Sequence, residues 1–285
     1  MLDRRDYSYH RTFPRLGAAA PAELPPMTYN HDAGLTMPDQ MADGYPNGCT
    51  GYTQTDCKTD ETRAIYSAPF TYKKTCFMDG QSDTEPCDIR TSCKSLRVYG
   101  ALHKNKPLHI EDKYYESLTE EQKAALNKSG KSFVVEKLPG RDWFDTMRIT
   151  LRSSNKNSIS IGTIWFPEWG SWLTGGELTA AVYYSGDPYA YGWHNYKLCG
   201  EETLNGKPVL LLKSWQGKRV GVDGWLKIGR EAFNKAFDMY GTLAIIQAEA
   251  DPNDIKLIKL DILQTVLVFL NRILLIIGRQ IPVHA

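Results

Sequence analysis

The sequence lacks the features that mark several common classes of protein. Its 285 residues carry 34 Lys and Arg against 33 Asp and Glu, a net charge of +1. Without an excess of positive charge, there is no electrostatic argument for nucleic acid as a partner. Six cysteines are too few to build a disulfide scaffold of this size. No Cys-x-x-Cys pair occurs, so the sequence predicts neither a zinc site nor any other metal or cofactor.

The beginning of the sequence also lacks an apolar run. The first five residues, Met-Leu-Asp-Arg-Arg, lead into no hydrophobic segment. We therefore expect no secretory signal, and a cytoplasmic or particle-associated protein rather than a secreted one. Residues 1–36 are rich in Pro, Ala, Tyr and charge without periodicity, which is typical of an extended arm lying along the body.

The oxidation state of the cysteines stays open in the sequence, because the compartment is unknown. If Cys49 is free, one of the other five must also be unpaired. Cys76 and Cys87 could bridge a loop, and Cys57 and Cys93 could meet between helices. A protein with six free thiols is equally compatible with these spacings.

The periodicity of the central part predicts helices first and strands mostly later. Helices are predicted at 49 to about 64, 88–99, 117 to about 127 and 230–239; strands are predicted at 158–164, 177–184, 209–215 and 224–228. Ser117 and Glu120 have the spacing of a capping box for the third helix. This order favours an α+β arrangement with two halves.

The last segment, 251–285, has a different pattern. Seven apolar residues follow one another at alternating spacings of three and four: Leu260, Leu263, Leu267, Leu270, Leu274, Ile277 and Ile281. This heptad pattern predicts a helix that packs through 257–281 on copies of itself or on a partner helix. An interfacial membrane helix, or a helix folded back on its own body, is the less favoured reading. A spanning helix is disfavoured, since Arg272 at mid-span costs roughly 2.5–3.5 kcal/mol.

One long-range pair carries chemistry. Cys49 follows Gly48, and His194 lies 145 residues (194 − 49) downstream. A thiol is an effective nucleophile only as thiolate, which a neighbouring imidazolium and a helix N-terminus both favour. The side-chain amide of Gln40 and the backbone N–H of Cys49 could hold an oxyanion. Taken alone, each of these residues is more often structural: a buried thiol, a core histidine, a surface amide.

Several blocks around this pair resemble the papain-like cysteine peptidases, in the order of that family. They are 39–40 with 47–50 (Asp-Gln, then Asn-Gly-Cys-Thr), 66–72 (Tyr-Ser-Ala-Pro-Phe-Thr-Tyr), 87–100, 193–196 (Trp-His-Asn-Tyr) and 213–228 (beginning Lys-Ser-Trp-Gln-Gly). The resemblance covers roughly residues 30–240 and suggests a divergent microbial or viral-type member.

The resemblance implies roles for four residues. Cys49 would be the nucleophile, His194 the general base and acid, Gln40 the oxyanion donor, and Trp215 the indole that shields the histidine. It also implies a two-lobed α+β papain-like domain at 37–250, with a helical lobe at about 37–140 and a β-rich lobe at about 141–250. A polypeptide substrate would lie in the cleft between them.

Two departures from the family pattern bear on activity. Gln40 stands nine residues before Cys49 (49 − 40), where the family usually has six. Lys213 occupies the position of the asparagine that orients the histidine, and an ammonium group has no acceptor. Either Lys213 points away, or the site is a dyad, or catalysis has been lost. The sequence therefore predicts a cysteine endopeptidase that acts through an acyl-enzyme, with a non-catalytic binding or assembly module as the alternative. Acyl transfer would use the same residues.

Overall fold

A computed structural model describes residues 7–8, 24–35, 37–104, 117–129, 131–154, 157–164, 177–178, 193–219, 221, 223–240 and 243–248. All of them belong to one compact unit. The heptad helix predicted at 251–285, with its seam at 257–281, lies outside the described residues, as does most of the arm predicted at 1–36.

The first half of the described chain is helical. It contains α1 (Cys49–Thr62), α2 (Ala68–Asp79), α3 (Ile89–Val98) and α4 (Glu120–Ala124). The helix predicted from residue 49 is confirmed and ends two residues early, at Arg63 in the left-handed conformation. The predicted helix 88–99 is confirmed as α3, with the side chain of Asp88 capping its N-terminus.

Helix α1 forms although its residues have poor helix propensity. It is rich in threonine, whose β-branched side chain disfavours helix. Thr53, Thr55, Thr59 and Thr62 each turn the hydroxyl back and donate to the carbonyl four residues earlier. Nearly every side chain of α1 from Cys49 to Asp60 is buried. Tertiary packing, and not local preference, therefore holds this helix.

The second half is a sheet of nine strands. They are β1 (Tyr7–Ser8), β2 (Tyr29–Asn30), β3 (Lys131–Val134), β4 (Ile159–Ile164), β5 (Glu177–Leu178), β6 (Trp193–Leu204), β7 (Lys207–Lys213), β8 (Trp225–Gly229) and β9 (Leu243–Ala248). The order is β1-β3-β9-β4-β6-β7-β8-β5, and β2 pairs with β6 beside this path. Strands predicted at 158–164, 209–215 and 224–228 correspond to β4, β7 and β8. Only residues 177–178 of the strand predicted at 177–184 are described.

Two further helices cover one face of the sheet. These are α5 (Trp143–Ser153) and α6 (Arg230–Tyr240). Their apolar side chains join those of the sheet in the largest core cluster, which includes Phe144, Met147, Tyr196, Leu198, Phe233 and Phe237. Because side chains alternate along a strand, the neighbours of Tyr196 on β6 project to the opposite face, which α1 covers. Along the chain, helices α1 to α4 precede most of the strands, which agrees with the predicted α+β arrangement.

The third predicted helix is shorter and capped elsewhere than expected. Thr119, and not Ser117, is the N-cap, and its partner in the capping box is Gln122. The helix α4 then covers five residues instead of about eleven. The spacing of Ser117 and Glu120 also fits the capping-box pattern, so the sequence alone offered two registers for one helix start.

Candidate active site

The turn before α1 presents Cys49 at the first helical position. The backbone N–H of Gly48 donates to the carbonyl of Tyr45 at 2.9 Å. A side chain at Gly48 would come within 3.0 Å of that carbonyl, so the turn needs glycine. No acidic residue lies in the first turn of α1, and the positive end of the helix dipole meets the thiol unopposed there.

Hydrogen bonds join α1 to the start of β6. The hydroxyl of Thr53 donates to the carbonyl of Asn195 at 3.1 Å. The indole Nε1 of Trp215 reaches both partners, at 2.6 Å from Thr53 Oγ1 and 2.8 Å from the Asn195 carbonyl. Cys49 packs with Trp215 in one buried cluster, and Asn195 lies near enough to lower the pKa of its thiol. The thiol therefore lies beside the residue that directly follows His194.

His194 occupies the second position of β6 and is almost fully buried. Its ring meets the ring of Tyr196 edge to face, with 4.6 Å between the ring centres. Burial lowers the pKa of His194 from 6.5 to about 3. Protonation of this ring therefore costs free energy at neutral pH, because the charged form is poorly solvated.

Burial acts on the thiol in the same way. It raises the pKa of Cys49, and the neighbouring polar groups of Asn195 and Thr50 offset only part of this effect. Burial therefore disfavours the charged form of both the thiol and the imidazole in this conformation.

Gln40 is buried beside the same strand end as Trp215. Its backbone N–H donates to the carbonyl of Trp215 at 2.8 Å, and its side-chain amide donates to the carbonyl of Pro46 at 2.7 Å. The backbone N–H of Tyr45 donates back to the Gln40 carbonyl at 2.7 Å. The loop between Gln40 and Pro46 closes on Gln40 in this way. The three extra residues are therefore absorbed as a bulge that leaves Gln40 anchored.

Lys213, at the end of β7, is turned towards carboxylates. Its ammonium lies 2.9 Å from Asp32 and 2.9 Å from Asp56 of α1, and it is fully buried. Its cross-strand neighbour Lys197 binds Asp32, Asp56 and Asp60. We call these five residues the buried charge cluster. The ammonium of Lys213 is therefore paired with carboxylates of this cluster.

A polar chain that the sequence did not reveal lies next to the candidate pair. The amide of Gln54 donates to the hydroxyl of Ser160 at 2.7 Å, which donates to the side-chain oxygen of Asn195 at 3.0 Å. All three side chains are buried. They join α1, β4 and β6, and so fix the backbone of Asn195, which lies near the sulfur. The sequence contains no more sign of this polar chain than amide and hydroxyl side chains in segments that the structure buries.

A cavity of about 1050 Å³ lies along α1. Among its walls are Asp39, Asp43, Tyr45, Tyr52 and Thr59. The described residues that line it do not include any of the candidate site residues, which are Cys49, His194, Gln40, Lys213 and Trp215. Among the described residues, no group of His, Cys, Asp and Glu is placed to hold a metal ion. No helix in the described ranges has the length and apolar character needed to span a membrane.

Solved structures with the same fold are cysteine proteases. Xylellain, a cysteine protease from Xylella fastidiosa, has a TM-score of 0.62 at 17% identity, over 88% of this chain and 94% of that one. Digestive procathepsin L 3 from Tenebrio molitor has a TM-score of 0.60 at 12% identity, over 86% and 76%. ProCathepsin B S9 from Trypanosoma congolense has a TM-score of 0.54 at 14% identity, over 80% of each chain.

No protein-family profile matches the chain, and no curated protein sequence matches it. The likeness to solved structures therefore establishes the fold, which is the two-lobed α+β papain-like fold. The similar structures come from a bacterium, an insect and a trypanosome, so they do not separate a microbial or viral type from others.

Proposed function

We propose that this protein is a cysteine peptidase that attacks peptide bonds with the sulfur of Cys49 and uses His194 as general base and acid. One observation carries the proposal: Cys49 stands at the N-terminus of a buried helix and packs with Trp215, whose indole donates to the carbonyl of Asn195, the residue directly after His194. The papain-like fold supports it. The substrate class that fits this chemistry is a polypeptide.

The proposed reaction begins from neutral groups. His194 takes the thiol proton as the sulfur bonds to the carbonyl carbon, whose π electrons move to the oxygen. The backbone N–H of Cys49 and the second N–H of the Gln40 amide stabilise that oxyanion. The intermediate collapses, the amine leaves with the proton from His194, and water then hydrolyses the thioester. Cys49 returns as a thiol.

In papain-like peptidases an asparagine orients the catalytic histidine. In this proposal Lys213, which occupies that position, does not orient His194. Lys213 is held by Asp32 and Asp56, so the catalytic pair is a dyad. The edge-to-face contact with Tyr196 restricts the rotation of the His194 ring. Tyr196 is therefore a positioning residue, and Trp215 supports the site by pinning Asn195 to α1.

A thiol-directed epoxide probe tests the proposal on the full chain. We expect selective labelling at Cys49, turnover of unfolded polypeptide, and loss of both in Cys49→Ala and His194→Ala. Cys93→Ala is the matched control, since Cys93 is an equally buried thiol on α3 and should leave labelling unchanged. Absence of selective labelling and of peptide turnover in folded protein would refute the peptidase proposal.

The competing proposal is a papain-fold module for binding or assembly that has lost catalysis. It is favoured by one observation, namely that burial disfavours both the thiolate of Cys49 and the imidazolium of His194. The same labelling experiment separates the two proposals, because a module of this kind would leave Cys49 no more reactive than Cys93.

A further inference from the structure

Two cysteines outside the candidate pair lie in contact. Cys76 is buried in the last turn of α2, and Cys87 is half-buried in the segment that leads from α2 to α3. Their sulfur atoms are 2.8 Å apart, and both residues are thiols in the structure. This separation is inside the van der Waals contact of two sulfur atoms and not far above the ~2.05 Å of a disulfide bond.

We propose that Cys76 and Cys87 are a redox-active pair that closes to a reversible disulfide and cross-links the end of α2 to the segment before α3. The site is a covalent modification site whose reagent class is a low-molecular-weight disulfide. It does not depend on the proposed peptidase activity.

The local electrostatics suit this chemistry. A hydrogen bond joins the two sulfur atoms, and either can be the donor, so the thiol of one stabilises the thiolate of the other. Disulfide exchange requires a thiolate, so a pair that shares a proton is more reactive than two separate thiols. By contrast, burial raises the pKa of Cys57 and of Cys199 well above the usual value, which keeps those thiols unreactive.

The reaction balances with glutathione disulfide as oxidant. One protein sulfur attacks the reagent, releasing one glutathione and leaving a mixed disulfide. The half-buried Cys87 is the sulfur that the reagent can reach. Cys76 then attacks the sulfur of Cys87 and releases the second glutathione. The two protein thiols lose two electrons and two protons, and the reagent gains them.

The cross-linked segment borders the candidate nucleophile. The side-chain amide of Asn47 donates to the carbonyl of Thr84 at 2.6 Å, and the hydroxyl of Thr50 donates to the carbonyl of Cys87 at 3.0 Å. Asn47 and Thr50 flank the Gly48–Cys49 turn on both sides. Residues 81–86 are themselves exposed, and the bond from Asn47 is one of those that hold them. Another is donated by the hydroxyl of Tyr72 to the carbonyl of Glu85 at 2.7 Å. A disulfide would fix this wall of the site covalently.

Mapping of the full chain in glutathione buffers, from fully reduced to fully oxidised, tests the pair. The sequence is favourable, because trypsin leaves both cysteines in one peptide, 75–90, with no third cysteine. After alkylation, we expect this peptide to carry two alkyl groups when reduced. When oxidised, it should carry none and be two hydrogen masses lighter than the free dithiol. Cleavage before Asp79 and Asp83 should then give fragments that separate only on reduction.

Thermal unfolding supplies a second readout. Closing a loop of this length should raise the melting temperature by roughly 5–10 °C in the oxidised protein. Cys87→Ser should abolish the shift, whereas Cys93→Ala, which removes a buried thiol of α3, should retain it. If both cysteines of peptide 75–90 stay fully alkylated in the most oxidising buffer while the protein is folded, the proposal is wrong. Persistent glutathione adducts without ring closure would overturn it equally.

Discussion

The ammonium group of Lys213 lies 2.9 Å from the carboxylate of Asp56, about two helical turns from the candidate nucleophile along the same face of α1. Lys213 ends β7 and Asp56 sits in the middle of α1, so this contact fastens the helix that carries Cys49 to the sheet that carries His194. The residue that departs from the family pattern is thus used to hold the two halves together. Its charge is balanced within the buried charge cluster.

We expect Lys213→Asn to destabilise the protein and not to improve a catalytic triad. Removing one cation leaves Asp32, Asp56 and Asp60 with Lys197 alone, and breaking a buried pair costs about 3 kcal/mol or more. Chemical denaturation measures this loss in the free energy of unfolding. Lys218→Asn is the control, because Lys218 is exposed nearby. A variant as stable as the parent and more active would contradict the structural role.

The buried His194 should make stability depend on pH. Its pKa is about 3 in the folded protein and near 6.5 when unfolded, so the unfolded state alone binds a proton between these values. The free energy of unfolding should therefore fall as the pH drops from about 6.5 to about 3, by at most ~4–5 kcal/mol from this residue. Comparison with His194→Gln isolates the effect, since other groups titrate in both proteins. Parallel pH curves for the two proteins would refute it.

The reactivity of Cys49 should rise with pH. Burial raises the pKa of this thiol above 9, so the thiolate fraction grows about tenfold per pH unit across the neutral range. Alkylation of Cys49 by iodoacetamide, followed by mass mapping, measures this slope in the absence of substrate. A resting thiolate–imidazolium pair would instead give a reactivity plateau that begins in the acid range. Such a plateau would show that the ion pair forms without substrate.

Gly51→Ala should destabilise the protein although alanine favours helix. An added Cβ would meet the backbone nitrogen of Tyr72 at 2.7 Å and its Cα at 2.6 Å, because α1 and α2 touch at this point. Helix propensity alone would stabilise the variant by about 1 kcal/mol. We expect a loss of roughly 2 kcal/mol or more from overpacking, seen as a lower denaturation midpoint. A gain in stability would show that the two helices separate easily.

That the segment 257–281 forms a helix that packs on copies of itself stays a prediction, because these residues lie outside the described ranges. If this is right, light scattering of the full chain should give an oligomer, and Leu267→Lys with Leu274→Lys should shift it towards the monomer because both lie on the predicted seam. Gln264→Lys, on the polar side of the same pattern, is the matched control. A full-length chain that is already monomeric would refute the seam.

Only part of the helical half could be predicted from local signals, and only part of the sheet from alternation. Helix α3 has a capping Asp88 and a regular apolar face, and β4 alternates. Helix α2 was not predicted: its apolar positions are broken by Lys73, Lys74 and several threonines, and its start depends on Ser67 and Pro69. Strand β6 was not predicted, because Lys197 and Glu201 are charged yet buried.

The order of the motifs indicated which candidate residues lie close together, but not the electrostatics around them. Cys49, Gln40 and Trp215 lie around one helix end and one strand end. Whether Lys213 faces His194 depends on Asp32 and Asp56, which are distant in sequence and satisfy its charge. Partners of this kind follow from the three-dimensional pairing of strands, so spacing along the chain does not reveal them.

Asp32 binds Lys197 and Lys213, which lie 165 and 181 residues after it in the chain. During synthesis, the acidic side chains of the early segment and of α1 therefore emerge long before any cation that neutralises them. The native helix–sheet contact must wait until β7 has left the ribosome, and until then the helical half is incompletely stabilised. Such distant pairings slow folding and lengthen the exposure of a nascent chain to chaperones and proteases.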